Sequence, residues 1–201
     1  MHNMKTIMNH FFITLCLITL TACSPGDITL DQVAKNPVKF AKQQVSLDSD
    51  SFSVMIPKGW DWRNEDEDCD GKNIIIMLNA GSPADKDGYI DLISIQKIKS
   101  QSNSNDLETE YNHFLKLSKN QSQGLKMVES GKTDALNYPA FYFHTKSETG
   151  NYGETETISF ILNSEKQGFF YHLIAGASQT DQFEKNMSIM IQALKTFRIN
   201  N

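Results

Sequence analysis

The 201-residue sequence has no excess of positive charge and no basic cluster. Nineteen lysine and arginine residues face 24 aspartate and glutamate residues, which gives a formal net charge of −5. A nucleic-acid-binding protein needs a basic surface to neutralise phosphates, so this composition argues against nucleic acid as a partner. The length allows one ordinary globular domain in addition to export and linker segments.

The sequence also lacks an apolar run long enough to cross a membrane, which takes about 20 residues in a helix. The apolar stretch 11–20 is shorter and follows the single firm positive charge of the segment, Lys5. This length and order are typical of the hydrophobic region of a signal peptide. The stretch ends in Leu20-Thr21-Ala22-Cys23, which resembles the lipobox of bacterial lipoproteins.

The lipobox resemblance implies that residues 1–22 are a signal peptide and that signal peptidase II cleaves before Cys23. It also implies that the Cys23 thiol is diacylated, and two acyl chains already make a stable membrane anchor. The next residue is Ser24 rather than aspartate, which in enterobacterial lipoproteins implies the outer membrane, with the domain facing the periplasm. The alternative is an ordinary secretory signal in which Cys23 is incidental.

Cysteine is scarce, with three residues in the whole chain. Cys16 leaves with the signal peptide and Cys23 takes the lipid, so Cys69 has no intramolecular partner and the domain does not depend on a disulfide. Acidic neighbours surround Cys69 and disfavour its thiolate. We therefore interpret Cys69 as an inert thiol, with a redox or nucleophilic role as the alternative.

Motifs of catalysis and cofactor binding are missing as well. The sequence has no Gly-x-Ser-x-Gly elbow, no phosphate-binding loop and no Rossmann glycine pattern. Three histidines follow the signal peptide, His113, His144 and His172, and none is spaced from another as a helical zinc pair would be. His144 and His172 fall in predicted strands that could be neighbours. We expect no catalytic residues, no cofactor and no metal site.

One acidic segment partly matches a calcium-binding loop. Residues 66–71 place acids at loop positions one, three and five and a glycine at position six. Position twelve is Met77, where such loops need a bidentate glutamate. We interpret the segment as a solvated acidic loop, and weak calcium binding by its clustered carboxylates remains the alternative.

Hydrophobic periodicity predicts an α+β fold in a single domain at residues 45–199, after a tether at residues 23–44. The domain is an antiparallel sheet flanked by two main helices. Strands are predicted at 45–47 and 52–56 as a hairpin, and at 74–78, 89–98, 126–133, 138–146, 154–162 and 169–177. The continuous apolar run 74–78 predicts a strand covered on both faces. Helices are predicted from Asp106, capped by Asn105 or Asp106, and at 181–195, capped by Thr180.

The segment Phe52-Ser53-Val54-Met55-Ile56-Pro57-Lys58-Gly59-Trp60 resembles the opening strand and turn of PsbP-like domains. DcrB-like bacterial lipoproteins and certain mycobacterial lipoproteins belong to the same broad group. The resemblance covers about residues 45–199 and implies an α/β/α sandwich. Members of the group are mostly binding or assembly factors, including a photosystem accessory protein and a Ran-binding factor, so the resemblance implies a role in binding and no shared catalytic residues.

The segments 60–70 and 81–88 are predicted loops with chemically varied side chains, and loops on a rigid sheet often carry recognition. The candidate partner-binding residues are Trp60, Trp62, Asp66, Asp68 and Asp70. We expect this surface to lie away from the tether. The leading hypothesis is a non-catalytic envelope lipoprotein that binds a protein partner in the periplasm. The alternatives are an immunity protein that blocks a toxic hydrolase delivered to the periplasm, and a carrier of a small apolar ligand.

Overall fold

The computed structural model of the chain describes residues 27–47, 51–66, 73–121, 124–148 and 150–200. These residues form three α-helices, ten strands and one 3₁₀ turn (Gly150–Tyr152). The helices are α1 (Leu30–Lys35), α2 (Leu107–Gln121) and α3 (Phe183–Leu194). The strands are β1 (Lys42–Ser46), β2 (Phe52–Pro57), β3 (Asp61–Asp66), β4 (Ile74–Gly81), β5 (Leu92–Lys99), β6 (Lys126–Thr133), β7 (Ala140–Glu148), β8 (Glu154–Asn163), β9 (Phe169–Ser178) and β10 (Arg198–Ile199).

Seven strands form one antiparallel sheet in the order β3-β4-β5-β9-β8-β7-β6. The hairpin of β1 and β2 is confirmed, and it forms a separate three-stranded sheet in which β10 is the third strand. Short connections favour antiparallel neighbours, which explains why the strands from β6 to β9 pair in chain order.

The two faces of the large sheet carry separate hydrophobic cores. Helix α2 packs on one face, where Tyr111 stacks on Phe141 with 4.6 Å between ring centroids. Helix α3 packs on the other face together with α1 and the small sheet, and its Met187, Met190 and Ile191 are fully buried. The layers run helix, sheet, helix, so the predicted α+β sandwich in one domain is confirmed.

Helix α2 begins where its cap was predicted. The Asp106 carboxylate accepts hydrogen bonds of 2.7 Å from the Thr109 backbone N–H and hydroxyl. Glu110, however, is fully buried although its spacing places it outside the apolar stripe. It accepts hydrogen bonds from the backbone or hydroxyl groups of Ser100, Gln101 and Ser102. The polar loop before the helix therefore folds around this carboxylate, a contact that helical periodicity does not reveal.

The predicted cap of the last helix is wrong. Gln182 occupies the cap position of α3, and no side chain there makes a capping hydrogen bond. Thr180 lies two residues earlier, where its hydroxyl accepts a 3.3 Å hydrogen bond from the Gln182 N–H. The segment before the helix is thus a turn, and α3 starts two residues later than predicted.

Two strands differ from their predicted environment. Ile75 is 44% exposed, because a bulge between Ile74 and Ile76 turns its side chain out of the sheet. Strand β4 is otherwise covered on both faces as its apolar run predicts, with Ile76 and Leu78 in the core under α3 and Ile74 and Met77 in the core under α2. The predicted loop 60–70 begins as edge strand β3, which pairs with β4 from Asp61 to Asp66.

The packed region begins earlier than the predicted boundary at residue 45. Helix α1 has a capping box at Thr29, and Leu30 and Val33 are buried against α3. The Lys195 ammonium donates a 3.1 Å hydrogen bond to the Ala34 carbonyl. Residues 28–44, assigned to the tether by sequence, are thus part of the described core and its edge.

Several predicted features lie outside the described residues, namely the signal segment 1–22, Cys23, Asp68, Cys69 and Asp70. Across the ranges that the structure does describe, no helix is both long and apolar enough to cross a membrane.

Candidate functional site

A cavity of about 620 Å³ lies at the end of the large sheet where β4 ends and β5 begins. Ligand cavities in proteins are typically about 300–1,000 Å³. Its walls come from four places: Phe40, Trp60 after the turn 57–59, the loop 82–91, and the segment from the end of β9 into α3 (residues 178–189). The turn is possible because Gly59 has φ +88°, a conformation that side-chain-bearing residues rarely adopt. The cavity thus joins elements that are far apart in sequence.

Asp91 is the most unusual side chain of this cavity, because it is a carboxylate that is only 8% exposed. Its partners are neutral: the Asn186 amide donates a 2.7 Å hydrogen bond to Oδ2, and the Ser178 backbone N–H donates another. No ion pair within the described part of the chain includes Asp91. Burial raises the pKa of Asp91 to about 6, and the nearby charge of Asp85 adds to this effect.

The charges around the cavity are strongly unbalanced. Four aspartates line it, Asp85, Asp87, Asp91 and Asp181, against one lysine, Lys86. The start of α3 also reaches the cavity, and a helix N-terminus carries about half a positive charge, which attracts anions. Three surplus full negative charges outweigh this half charge, so the cavity favours a cationic ligand. The aromatic rings of Trp60 and Tyr89 in its wall also suit a cation, which is attracted to an aromatic face.

The structure brings together some of the predicted site residues and separates others. Trp60 is half-buried, packs against the core and lines the cavity, together with the predicted loop 81–88. Trp62 is 44% exposed and does not belong to the cavity wall. Asp66 ends β3 opposite Ile76, at the far end of that strand from Trp60, and Asp68 and Asp70 lie outside the described residues.

The cavity does not lie away from the N-terminal segment, as was expected of the binding surface. Asp27, the first described residue, pairs with Lys146 at 3.0 Å, and Lys146 pairs with Glu156 at 2.5 Å. The Gln179 amide donates a hydrogen bond to the same glutamate, and Gln179 lines the cavity. A continuous polar chain therefore links the N-terminal segment to the cavity, and both lie at the same end of the sheet.

The centre of this polar chain is a buried charge cluster that the sequence does not reveal. Glu156 and His144 are both fully buried, with 2.5 Å between Oε2 and Nε2. Burial alone would raise the pKa of Glu156, but the hydrogen bonds from His144 and Lys146 lower it instead. Since no part of the two side chains reaches solvent, the pair has no direct access to a substrate.

The two strand histidines are not neighbours. His144 pairs with Ile158 and faces the core under α3, whereas His172 pairs with Ile161 and faces the core under α2. Burial lowers the pKa of His172 to about 4, so this ring is neutral at physiological pH. Within the described ranges, no group of three or more potential metal-binding side chains comes together.

Replacing Asp91 with asparagine is expected to raise the free energy of unfolding by about 1–2 kcal/mol at pH 8. The folded-state pKa of Asp91, about 6, lies above its ordinary value of 3.8. Folded protein therefore holds this proton more tightly, and wild-type stability falls as pH rises through 6. Urea unfolding at pH 4.5 and pH 8 measures the effect. Asp87→Asn, at an exposed position, is the control, and equal gains in both variants would contradict the expectation.

Comparison with known proteins shows the fold. No family model matches the sequence, and no curated protein matches it. The solution structure of cyanobacterial PsbP from Synechocystis sp. PCC 6803 has a TM-score of 0.54 at 10% identity, covering 82% of this chain and 95% of that one. The Saccharomyces cerevisiae Ran-binding protein Mog1p has a TM-score of 0.51 at 9% identity, with coverages of 80% and 96%.

A third similar structure is LpqN of Mycobacterium tuberculosis, described as involved in cell envelope biogenesis. Its TM-score is 0.50 at 14% identity, and the match covers 88% of this chain and 99% of that one. At such identities the similarity concerns architecture alone. The chain therefore has the fold shared by PsbP and Mog1p, as a single α+β domain.

Proposed function

We propose that this protein is a non-catalytic lipoprotein of the cell envelope that binds a basic segment of a protein partner in the Asp91 cavity. The observation that carries the proposal is a buried carboxylate with neutral partners, in a cavity lined by four aspartates and one lysine. A buried charge without a counter-ion costs stability. Such a cost is common where a site is kept ready for its ligand.

A lysine or arginine side chain meets the chemical requirements of the cavity. Its cationic end would give Asp91 the counter-charge that it lacks, in a charge-assisted hydrogen bond. Its methylene groups would lie along Trp60 and Tyr89, which can also attract the charge through their aromatic faces.

Proteins of the same fold support a binding role at an envelope. Mog1p is named as a Ran-binding protein, and LpqN is described as involved in cell envelope biogenesis. Both are distant, so they add to the proposal and do not identify the partner. The lipid anchor rests on Leu20-Thr21-Ala22-Cys23.

The acidic cavity also bears on the two alternative functions. An immunity protein that blocks a cationic substrate cleft would use an acidic surface of this kind, so that role is a narrower version of the proposal. A toxin gene next to the gene for this protein would favour it. Four aspartates in the cavity lining disfavour an apolar small molecule as the ligand.

An NMR titration with small probes tests the proposed site. We expect acetyl-Gly-Lys-Gly-amide to shift the amide signals around Asp91 and Asn186, and the norleucine analogue, which lacks the charge, to leave them unchanged. Asp91→Asn should abolish the shifts, whereas Asp31→Asn, at an exposed acid on α1, should keep them. Cadaverine serves as a second probe: binding of the free diamine with no binding of the peptide would identify a small amine as the ligand.

Two results would contradict the proposal. One is the absence of localised shifts with either cationic probe. The other is equal binding of the lysine and norleucine peptides, which would show that charge has no part in recognition. Because the titration uses the soluble domain, its outcome is independent of lipidation.

A further inference from the structure

Exposed large apolar side chains are unevenly placed on the described surface. Trp62, Ile75, Ile90, Leu92 and Tyr152 are between 38% and 50% exposed. Single exposed apolar residues are ordinary on a soluble protein, whereas a contiguous group marks an interaction surface. The position of each residue along the strands therefore decides whether they form one surface.

Four of the five lie at the same end of the large sheet. Leu92 is the first residue of β5 and pairs with Gly81, and Trp62 pairs with the adjacent Ala80. Ile90 lies against Gly81 so closely that a β-carbon there would be 2.8 Å from the Ile90 Cγ2. Because position 81 is a glycine, the Ile90 side chain can lie directly against the backbone at the end of the sheet.

Tyr152 extends the group across the sheet from the turn between β7 and β8. Its ring packs edge-on against Tyr89, with 5.4 Å between centroids, and Tyr89 is the neighbour of Ile90. The fifth residue, Ile75, lies six residues before Gly81 on β4, about 20 Å away along the strand. Trp62 and Leu92 pair with successive residues of β4 and so project from opposite faces, but Trp62, Ile90, Leu92 and Tyr152 all lie at one end of the sheet, and we call these four residues the apolar sheet end.

The N-terminal segment arrives at this same end. Strand pairing places in one row the residues Gly81, Leu92, Gly176, Thr157 and Thr145. Lys146, the next residue on β7, pairs with Asp27 at 3.0 Å. Three strand spacings, about 14 Å, separate β5 from β7. Asp27 is thus level with the apolar sheet end along the strand direction.

The chain between Asp27 and Cys23 is short. Four residues span at most about 14 Å even when fully extended. A lipid on Cys23 therefore holds Asp27 within that distance of the headgroups, whatever path the four residues take, and Asp27 lies at the same end of the sheet as the apolar residues. Tryptophan and tyrosine are favoured at the boundary between headgroups and acyl chains, because one end of each ring system is apolar and the other polar.

We infer that the apolar sheet end rests on the surface of the membrane to which Cys23 is attached. The inference rests on the lipid anchor of the proposed function. A tether this short gives a high effective concentration, so a weak surface affinity is enough to orient the domain. Asp61, Asp85 and Asp87 are exposed at this end, with Lys86 among them, so we expect zwitterionic lipids to be preferred over anionic ones.

The test compares Ile90 with Ile75, two similarly exposed isoleucines at opposite ends of the sheet. The chain from Cys23 onward, carrying Cys69→Ser so that Cys23 is its single thiol, is coupled to maleimide lipid in phosphatidylcholine–phosphatidylethanolamine nanodiscs. Isoleucine methyl groups are labelled, and a paramagnetic headgroup lipid is added. We expect paramagnetic relaxation of the Ile90 methyl to be at least about tenfold that of Ile75, given about 20 Å between them.

Equal relaxation of the two methyl groups, or none at either with coupling complete, would overturn the inference. The double variant Ile90→Ser/Leu92→Ser provides a second test. Both side chains are exposed, so the fold should persist. The paramagnetic relaxation at Tyr152, relative to that at Ile75, should fall because the sheet end no longer contacts the membrane. Chemical coupling makes the outcome independent of lipidation in cells. Failure of the lipid anchor would appear separately, as a lack of palmitate on Cys23.

Discussion

Replacing Lys146 with methionine is expected to lower the free energy of unfolding by about 3 kcal/mol at pH 7. The Lys146 side chain is 9% exposed and lies 2.5 Å from the fully buried Glu156 and 3.0 Å from Asp27. Burial alone would lower the pKa of Lys146, but its hydrogen bonds to these two carboxylates raise it. Without the lysine, Glu156 keeps its charge in the core with a histidine and an amide as partners.

The pH dependence of this loss has a definite sign. The pKa of Glu156 is lowered below its ordinary 4.5 in the folded state. The carboxylate therefore stabilises the fold above that ordinary value, and this contribution is lost as pH falls through the folded-state pKa. Urea unfolding should show the gap between wild type and Lys146→Met at its largest near pH 7 and shrinking below pH 4.

Two further variants test the cause. Lys35→Met removes an exposed partner of Asp31, a pair with side chains more than 70% exposed, and should cost no more than about 0.5 kcal/mol. Lys146→Met combined with Glu156→Gln should recover most of the loss, because no buried charge is left unpaired. A double variant as unstable as the single one would show that packing, not charge, explains the effect.

Replacing Cys23 with alanine is expected to abolish membrane association and palmitate incorporation completely. The site is predicted by Leu20-Thr21-Ala22-Cys23 after a short apolar segment. The loss is expected to be complete because each buried methylene contributes about 0.8 kcal/mol, so the acyl chains dominate attachment. Cell fractionation and labelling with palmitate measure it.

Cys69→Ala is the matched control, since it removes a thiol that we expect to carry no lipid. It should fractionate and label like wild type. If Cys23→Ala still sediments with membranes and still takes up palmitate, the lipid anchor is contradicted, and with it the membrane contact inferred for the apolar sheet end.

Periodicity predicted the sheet well where strands are consecutive and paired by short turns. The strands from β6 to β9 agree with their predicted bounds to within two residues. Features that depend on distant residues were not predictable in this way. Strand β10 exists because Arg198 and Ile199 pair with β2, and α1 is held by α3, which follows about 150 residues later.

The candidate site likewise contains residues that local sequence signals predict and residues that depend on contacts with distant parts of the chain. Trp60 and the loop 81–88 were recognised by composition, because turn residues and exposed polar groups are local signals. Asp91 was missed, since it falls inside a predicted strand and becomes unusual only when α3 covers it with Asn186, 95 residues later. One local signal was available: an aspartate between two apolar residues, Ile90 and Leu92, at the start of a strand.

The binding of acetyl-Gly-Lys-Gly-amide as a function of pH tests most directly the claim that Asp91 recognises a cation. With a pKa of about 6, the carboxylate is mostly protonated at pH 5 and mostly ionised at pH 7.5. The dissociation constant from NMR titration should therefore fall about tenfold between these two values, and Asp91→Asn should bind weakly at both. A dissociation constant that does not change with pH, or equal binding by Asp91→Asn, would contradict the account.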